Sequence, residues 1–280
     1  MAERKVVEQV AAEETTSDRR YRIYGVAPYT VIVVHGGPGA LGSLAPVARE
    51  LAPQYGVLET LHTALSVDGQ LDELRAAITS VAQPPVALIG HSWGAMLGVL
   101  FAARYPALVG KLILIGSGVY EDSYAQGIDS TRLQRLSAVD RAEIQRLAAA
   151  LDEPNIRDAD AVFARLGALF AKADTYNPLP GEPEQDALSP QKDVFEAVWP
   201  EAAALRRRGI FLEAADQLQC PVVAIHGEYD SHPVAGIQEP LARTVKDFRL
   251  IVLAHCGHEP WIEREARDTF YRVLREELAQ

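Results

Sequence analysis

Cysteine and clustered positive charge are what this chain has least of. Two cysteines in 280 residues, Cys220 and Cys256, cannot build a disulfide framework, and neither stands in a CxxC or other metal-type spacing. A reducing, cytoplasmic setting is the simplest expectation. Lys and Arg number 27 against 38 Asp and Glu, giving a net charge of -11. Counterion release from nucleic acid and attraction to an anionic membrane both need clustered Lys and Arg, so neither partner is expected. The one basic cluster, Arg206, Arg207 and Arg208, reads as a solvated helix face. No apolar run reaches membrane-spanning length, and the first twenty residues carry charge through every window where a signal peptide would need an apolar stretch. These residues read as a frayed lead-in. There is no internal repeat and no low-complexity tract.

What is present is a packed-core composition, 48% apolar, enough for one large α/β domain or two medium ones. Arg20 to Tyr24 alternates like an edge strand, and Thr30 to Val34 (TVIVV) is a β-branched run suited to a strand buried on both faces. It leads into His35-Gly36-Gly37-Pro38-Gly39, where backbone N–H groups can turn toward a ligand unobstructed. A helix over Leu44 to Leu51, a strand over Val57 to Leu61 and a helix capped by Asp68 and running to Val81 follow. Val86 to Ile89 and Lys111 to Ile115 read as buried strands, with an all-apolar helix, Ala95 to Ala103, between them. This alternation predicts a mostly parallel sheet flanked by helices.

The alternation stops from Val119 to Asp216. Helical patterns cover Ser137 to Leu151 and Ala161 to Ala171, the latter with Val162, Phe163, Leu166, Leu169 and Phe170 on one face. A proline-rich loop spans 177–190, and Trp199-Pro200 introduces a further helix. The sheet rhythm resumes with strands at Pro221 to His226 and Phe248 to Leu253, separated by a helix near Gly236 to Thr244. It closes with an amphipathic helix from Trp261 to Leu278. The expected division is therefore an α/β core of residues 1–118 and 217–280 with a helical insert over 119–216.

The chemistry centres on Gly90-His91-Ser92-Trp93-Gly94, directly after a buried strand. In the G-x-S-x-G elbow, glycines two residues either side of the serine leave room for a sharp strand-to-helix turn that exposes the hydroxyl. By itself the pattern arises by chance roughly one time in ten in a chain this long. Ligand-contacting residues in open α/β sheets lie past the carboxyl ends of strands. Four stretches there are polar or glycine-rich: His35 to Gly39, His91 to Trp93, Glu228 to Asp230 and His255 to His258.

Ser92 is a weak nucleophile without a base, His258 is the candidate base, and Asp230 would orient and stabilise its imidazolium. Backbone N–H groups of Gly37 and Trp93 would form the oxyanion hole. His258, on a loop between glycine and Glu259-Pro260, is preferred over His255, and Asp230 over Glu228. His232 lies near Asp230, but no third ligand has metal-type spacing, so neither a metal nor a cofactor is expected. Cys256 reads as a small buried residue, and His35 and His91 as loop supports.

HGGPG, GHSWG, a strand leading to HGEYD, and GHEPW together resemble the α/β-hydrolase superfamily, closest to its proline iminopeptidase-like branch, over about 30–118 and 218–278. The resemblance implies the α/β-hydrolase fold, Ser92, Asp230 and His258 as triad, and Gly37 and Trp93 as oxyanion donors. It also implies that the insert is a cap over the site. That branch usually has glycine where His91 stands and holds the substrate amine with cap acids. Of Glu182, Glu184, Glu196, Glu201 and Glu213, none matches such a role by position. Trp199, Tyr176, Phe195 and Phe163 are candidates for pocket lining or for core packing.

The function expected is a serine hydrolase acting through an acyl-enzyme on a small ester, amide or N-terminal amino-acyl substrate. Its rivals are a C–C bond or lactone hydrolase or lyase on the same scaffold, and a low-turnover ligand sensor or interaction protein.

Overall fold

The computed structural model describes residues 20–153, 156–180 and 188–280. The expected lead-in before Arg20 and residues 181–187 of the proline-rich loop, Glu182 and Glu184 among them, lie outside the described residues.

Seven strands form one sheet among the described residues: β1 (Tyr21–Tyr24), β2 (Tyr29–Val34), β3 (Gly56–Thr60), β4 (Val86–His91), β5 (Val109–Ile115), β6 (Val222–Gly227) and β7 (Phe248–Leu253). Their order is β1-β3-β2-β4-β5-β6-β7, with β1 antiparallel to β3 and every other pairing parallel. The inner strands β2, β4, β5 and β6 are apolar on both sides because both faces are covered, and alternate residues go to opposite cores. Ile32, Val34, Leu58, Leu88, Leu112, Leu114 and Val222 pack on one face against α2 (Val67–Val81), α3 (Trp93–Arg104) and α10 (Ala235–Thr244). Val31, Val33, Val57, Ile89, Ile113, Ile115 and Val223 pack on the other against α1 (Ala45–Leu51) and α11 (Arg267–Leu278). Each such fully buried side chain contributes about 1.5–3 kcal/mol, and a one-residue slip in register would exchange the two sets.

Between β5 and β6 the described residues form six helices: α4 (Asp122–Ala125), α5 (Ile128–Arg135), α6 (Ala138–Leu151), α7 (Ala159–Asp174), α8 (Lys192–Arg207) and α9 (Ile210–Asp216). Among the described residues this stretch contributes no strand to the sheet. Val194, Val198 and Ala202 of α8 and Phe211 and Ala215 of α9 join the same core as α2 and α3. By contrast α6 and α7 share only a small cluster, Leu136, Ile144, Leu169 and Ala173. Of the expected apolar face of α7, Leu169 is buried, while Val162, Phe163, Leu166 and Phe170 are half-buried. No helix among the described residues is long and apolar enough to cross a membrane.

Four local expectations are corrected. Ser66, not Asp68, caps α2 by accepting the Gly69 N–H, and Asp68 sits in the first turn, 2.8 Å from Arg104. Trp199-Pro200 does not begin a helix: α8 starts at Lys192 and carries Pro200 inside it. Burial of Val194, Val198 and Ala202 at helical spacing outweighs the one backbone hydrogen bond that proline removes. The closing helix starts at Arg267 instead of Trp261, because Glu263 is drawn fully inward to bind backbone N–H groups. Arg206 is not merely solvated, since it pairs with Asp122 at 2.7 Å.

Candidate active site

Ser92 stands between β4 and α3 with φ 53 and ψ -113, a positive-φ conformation that side chains rarely adopt. The glycines around it are required by close approach. A Cβ on Gly90 would lie 2.2 Å from the Gly94 carbonyl oxygen, and one on Gly94 would lie 2.2 Å from that of Val34. The elbow therefore presses directly on β2. Trp93 opens α3, so its N–H has no intrahelical partner and sits at the positive end of the helix dipole. Gly37 has φ +112, open only to glycine, in the loop after β2.

All seven histidines of the chain, His35, His62, His91, His226, His232, His255 and His258, lie at or just past the carboxyl ends of parallel strands. His258 and Asp230 come together, Nδ1 to Oδ2 at 2.7 Å. An ionised carboxylate only accepts, so the His258 proton is on Nδ1 and Nε2 is left with a lone pair when the ring is neutral. Burial opposes charge on His258, but the attraction of Asp230 and the hydrogen bond to it outweigh that, and the imidazole is raised above its ordinary value. Burial likewise opposes charge on Asp230, yet the surrounding histidines, His258 foremost, hold it well below the usual carboxylate range.

Two of the other imidazoles act as props. His91 reaches the His258 carbonyl through Nε2 at 3.2 Å, and its ring centroid lies 4.7 Å from that of His258, so the residue beside Ser92 also supports the base. His35 donates from Nδ1 to the Gly36 carbonyl at 2.8 Å and accepts the His62 N–H on Nε2 at 3.1 Å. That pairing fixes a neutral ring, and burial pushes it down to about 4. Trp93 is anchored through its indole N–H to Gln70 at 2.8 Å.

Ser92, Asp230 and His258 thus all lie past the carboxyl ends of parallel strands of one sheet, with His91, the neighbour of Ser92, touching His258; Gly37 follows β2 and Trp93 opens α3. The less favoured alternatives at the same strand ends are exposed: His255, against Tyr176, and Glu228. Cys256 is fully buried, and burial pushes its thiol far up. Phe163, Phe195 and Trp199 pack on one another, with successive ring centroids at 5.1 and 5.8 Å.

Several supports carry no sequence signature. Glu263, fully buried, accepts the N–H groups of Tyr176, Asn177 and Gly257 at 2.7–2.8 Å, tying the segment after α7 to the His258 loop. The Asp174 carbonyl accepts the His258 N–H at 2.9 Å, while its carboxylate is held by Arg132. The structure also supplies the third group that spacing failed to offer beside Asp230 and His232, namely His258: donor atoms of the three lie within 4.8 Å of one another. Both Nδ1 atoms are already committed to the Asp230 carboxylate.

The family model described as "Alpha/beta hydrolase family" matches residues 31–272. The chain is 25% identical over 268 residues to a 2-hydroxy-6-oxo-2,4-heptadienoate hydrolase of Pseudomonas putida, covering 89% of this chain and 88% of that protein. It is 26% identical over 268 residues to a pimeloyl-[acyl-carrier protein] methyl ester esterase of Chromobacterium violaceum, covering 89% and 93%. Among solved structures, a proline iminopeptidase of Mycobacterium smegmatis superposes with a TM-score of 0.57 at 20% identity, covering 93% and 94%. The breadth of these matches agrees with the sheet order and the elbow, and the chain belongs to the alpha/beta hydrolase family.

Proposed function

We propose that this protein is a serine hydrolase that forms an acyl-enzyme on a small ester. The observation that carries the reading is the 2.7 Å pairing of His258 with a fully buried Asp230 at the edge where Ser92 stands in a strained elbow. Ser92 Oγ attacks the acyl carbonyl while His258 Nε2 takes the hydroxyl proton. The negative oxygen that forms is met by the N–H groups of Trp93 and Gly37. His258 then returns the proton to the departing alcohol and leaves the acyl group on Ser92. A water gives its proton to His258 and attacks the acyl-serine. The acid departs as His258 reprotonates Ser92.

The helical insert serves as a cap. It touches the glycine loop, where the Gln191 N–H donates to the Gly39 carbonyl at 3.0 Å, and the base loop through Asp174. An ester is favoured over an N-terminal amino-acyl substrate because the described glutamates of the insert are occupied or out of place. Glu196 pairs with Lys192, Glu201 accepts the Val67 N–H at 2.8 Å, and Glu213 is exposed.

The test is Ser92→Ala against a panel of p-nitrophenyl esters, where kcat/KM is expected to fall by about 10⁴-fold or more. Turnover at the wild-type rate would remove the reading. A second reading, hydrolysis of a C–C bond in a 2-hydroxy-6-oxo-dienoate, is favoured by the relative that spans 88% of its own length in the match. It predicts a kcat/KM on such a dienoate above that on any simple ester.

A further inference from the structure

Asp230 does not serve one histidine. His232, two residues on, directs Nδ1 to Oδ1 at 2.8 Å while its own backbone N–H reaches the same oxygen at 2.9 Å. His258 takes Oδ2 at 2.7 Å. The carboxylate is fully buried and can only accept, so His232, like His258, must carry its proton on Nδ1. The two imidazoles also stack, with centroids 4.8 Å apart and planes 25° from parallel. His226, from β6, approaches Oδ2 to 3.5 Å, but its Nε2 donates to the nearer His232 carbonyl at 2.8 Å and so fixes the backbone that presents the second ring.

A carboxylate bound on both oxygens is a weaker pull on either partner than one bound by a single imidazole, because each donor stabilises the negative charge that attracts the other. We propose that His232 is a positioning residue: by adding its imidazole N–H to the backbone N–H already on Oδ1 of Asp230 it fixes the carboxylate plane and limits how strongly Oδ2 draws on His258, so that the base stays free at lower pH than a carboxylate bound by one imidazole would allow. This rests on the serine-hydrolase reading of the site. Burial keeps His232 below its ordinary value, against the attraction of Asp230, so it remains a neutral donor where His258 titrates. The charged and titratable groups around the pair act on both rings. His258 faces Asp230, His232 and His91, with Asp174 and Glu259 nearby. His232 faces Asp230 and His258, with Arg132 of α5 disfavouring its charge.

The experiment follows the rate of Ser92 labelling by a fluorophosphonate against pH in the full chain and in two variants, with the labelled peptide identified by mass spectrometry. His232→Phe keeps an aromatic face on His258 but removes the donor. His232→Asn keeps an amide N–H near the position of Nδ1 and cannot titrate. The acid midpoint of the labelling rate reports the ionisation of His258. It is expected to move up by about one pH unit in His232→Phe and to return close to the wild-type value in His232→Asn. A role in packing alone would lower the rate at every pH and leave the midpoint in place, and that outcome overturns the proposal. So does an equal shift in both variants, since the donor would then count for nothing. Wild-type protein that takes no label on Ser92 would instead remove the serine-hydrolase reading itself. Nitrogen-15 histidine spectra of the wild-type protein test the same point without a substitution: His232 protonated on Nδ1 is expected, and a proton on Nε2 with Nδ1 bare overturns it.

Discussion

Along the carboxyl edge of the sheet, Asp230 is held on both oxygens and the His258 loop is held through its own N–H, its own carbonyl and the N–H of Gly257. Around α6 and α7 of the insert, the buried cluster is four residues, three of them in the two helices, which are joined by ion pairs such as Arg165–Glu143 at 2.9 Å and Lys172–Asp140 at 2.8 Å, whose cations are largely exposed. Buried, mutually satisfied hydrogen bonds fix atoms to within a fraction of an ångström, whereas solvated ion pairs contribute little and tolerate exchange. The first region is built to hold its groups in one arrangement, as the proposed reaction requires, and the second is built to tolerate change.

The largest effect on this contrast is expected from Asp230→Asn. That change keeps the shape of the edge but reverses one of its hydrogen bonds, and kcat on an ester should drop by about 10⁴-fold. A drop below tenfold would mean the edge is not where the chemistry is set. Next is Gly94→Ala, whose methyl would sit 2.2 Å from the Val34 carbonyl oxygen. Relief requires moving β2 or the elbow, with an expected loss of at least about 3 kcal/mol in urea unfolding.

Acid should weaken the edge as well. His35 falls from 6.5 to about 4 on folding, so between those values the unfolded chain holds the extra proton and stability rises with pH. Through this one residue the loss on acidifying from pH 6.5 to 4 is about 3 kcal/mol. His62 and His91, lowered by burial, add to it, while His258, raised, opposes it with stability present below 6.5 and lost as pH climbs through its folded value. Equal urea midpoints at pH 5 and pH 7 would contradict this balance. The smallest effect belongs to the insert. Gly167 lies inside α7 with nothing within 4 Å of an added methyl, so Gly167→Ala should stabilise by about 0.5–1 kcal/mol and leave ester turnover within twofold. A large change in turnover would show that α7 is coupled to the chemistry after all.

The same contrast governs what can be read from the residues. The buried parallel strands are legible because burial on both faces demands an unbroken apolar run, and the meeting of His258 with Asp230 is legible because sheet topology brings the ends of neighbouring strands together. Ser66 escapes notice as a cap because Asp68, two residues on, carries an equally suitable side chain. The start of α8 is obscured because Pro200 is a strong local signal that tertiary burial overrides. Glu263 and His232 act through partners 86 and 2 residues away, and only folding reveals which carboxylate or backbone group each one meets.

Whether the edge performs covalent chemistry is read from the mass of the protein quenched during turnover of p-nitrophenyl acetate, followed by peptide mapping. One acetyl group is expected, carried by Ser92 itself and absent from Ser92→Ala. Turnover with the acetyl group on another residue, or a Ser92→Ala variant that keeps both adduct and turnover, would contradict the serine-nucleophile mechanism.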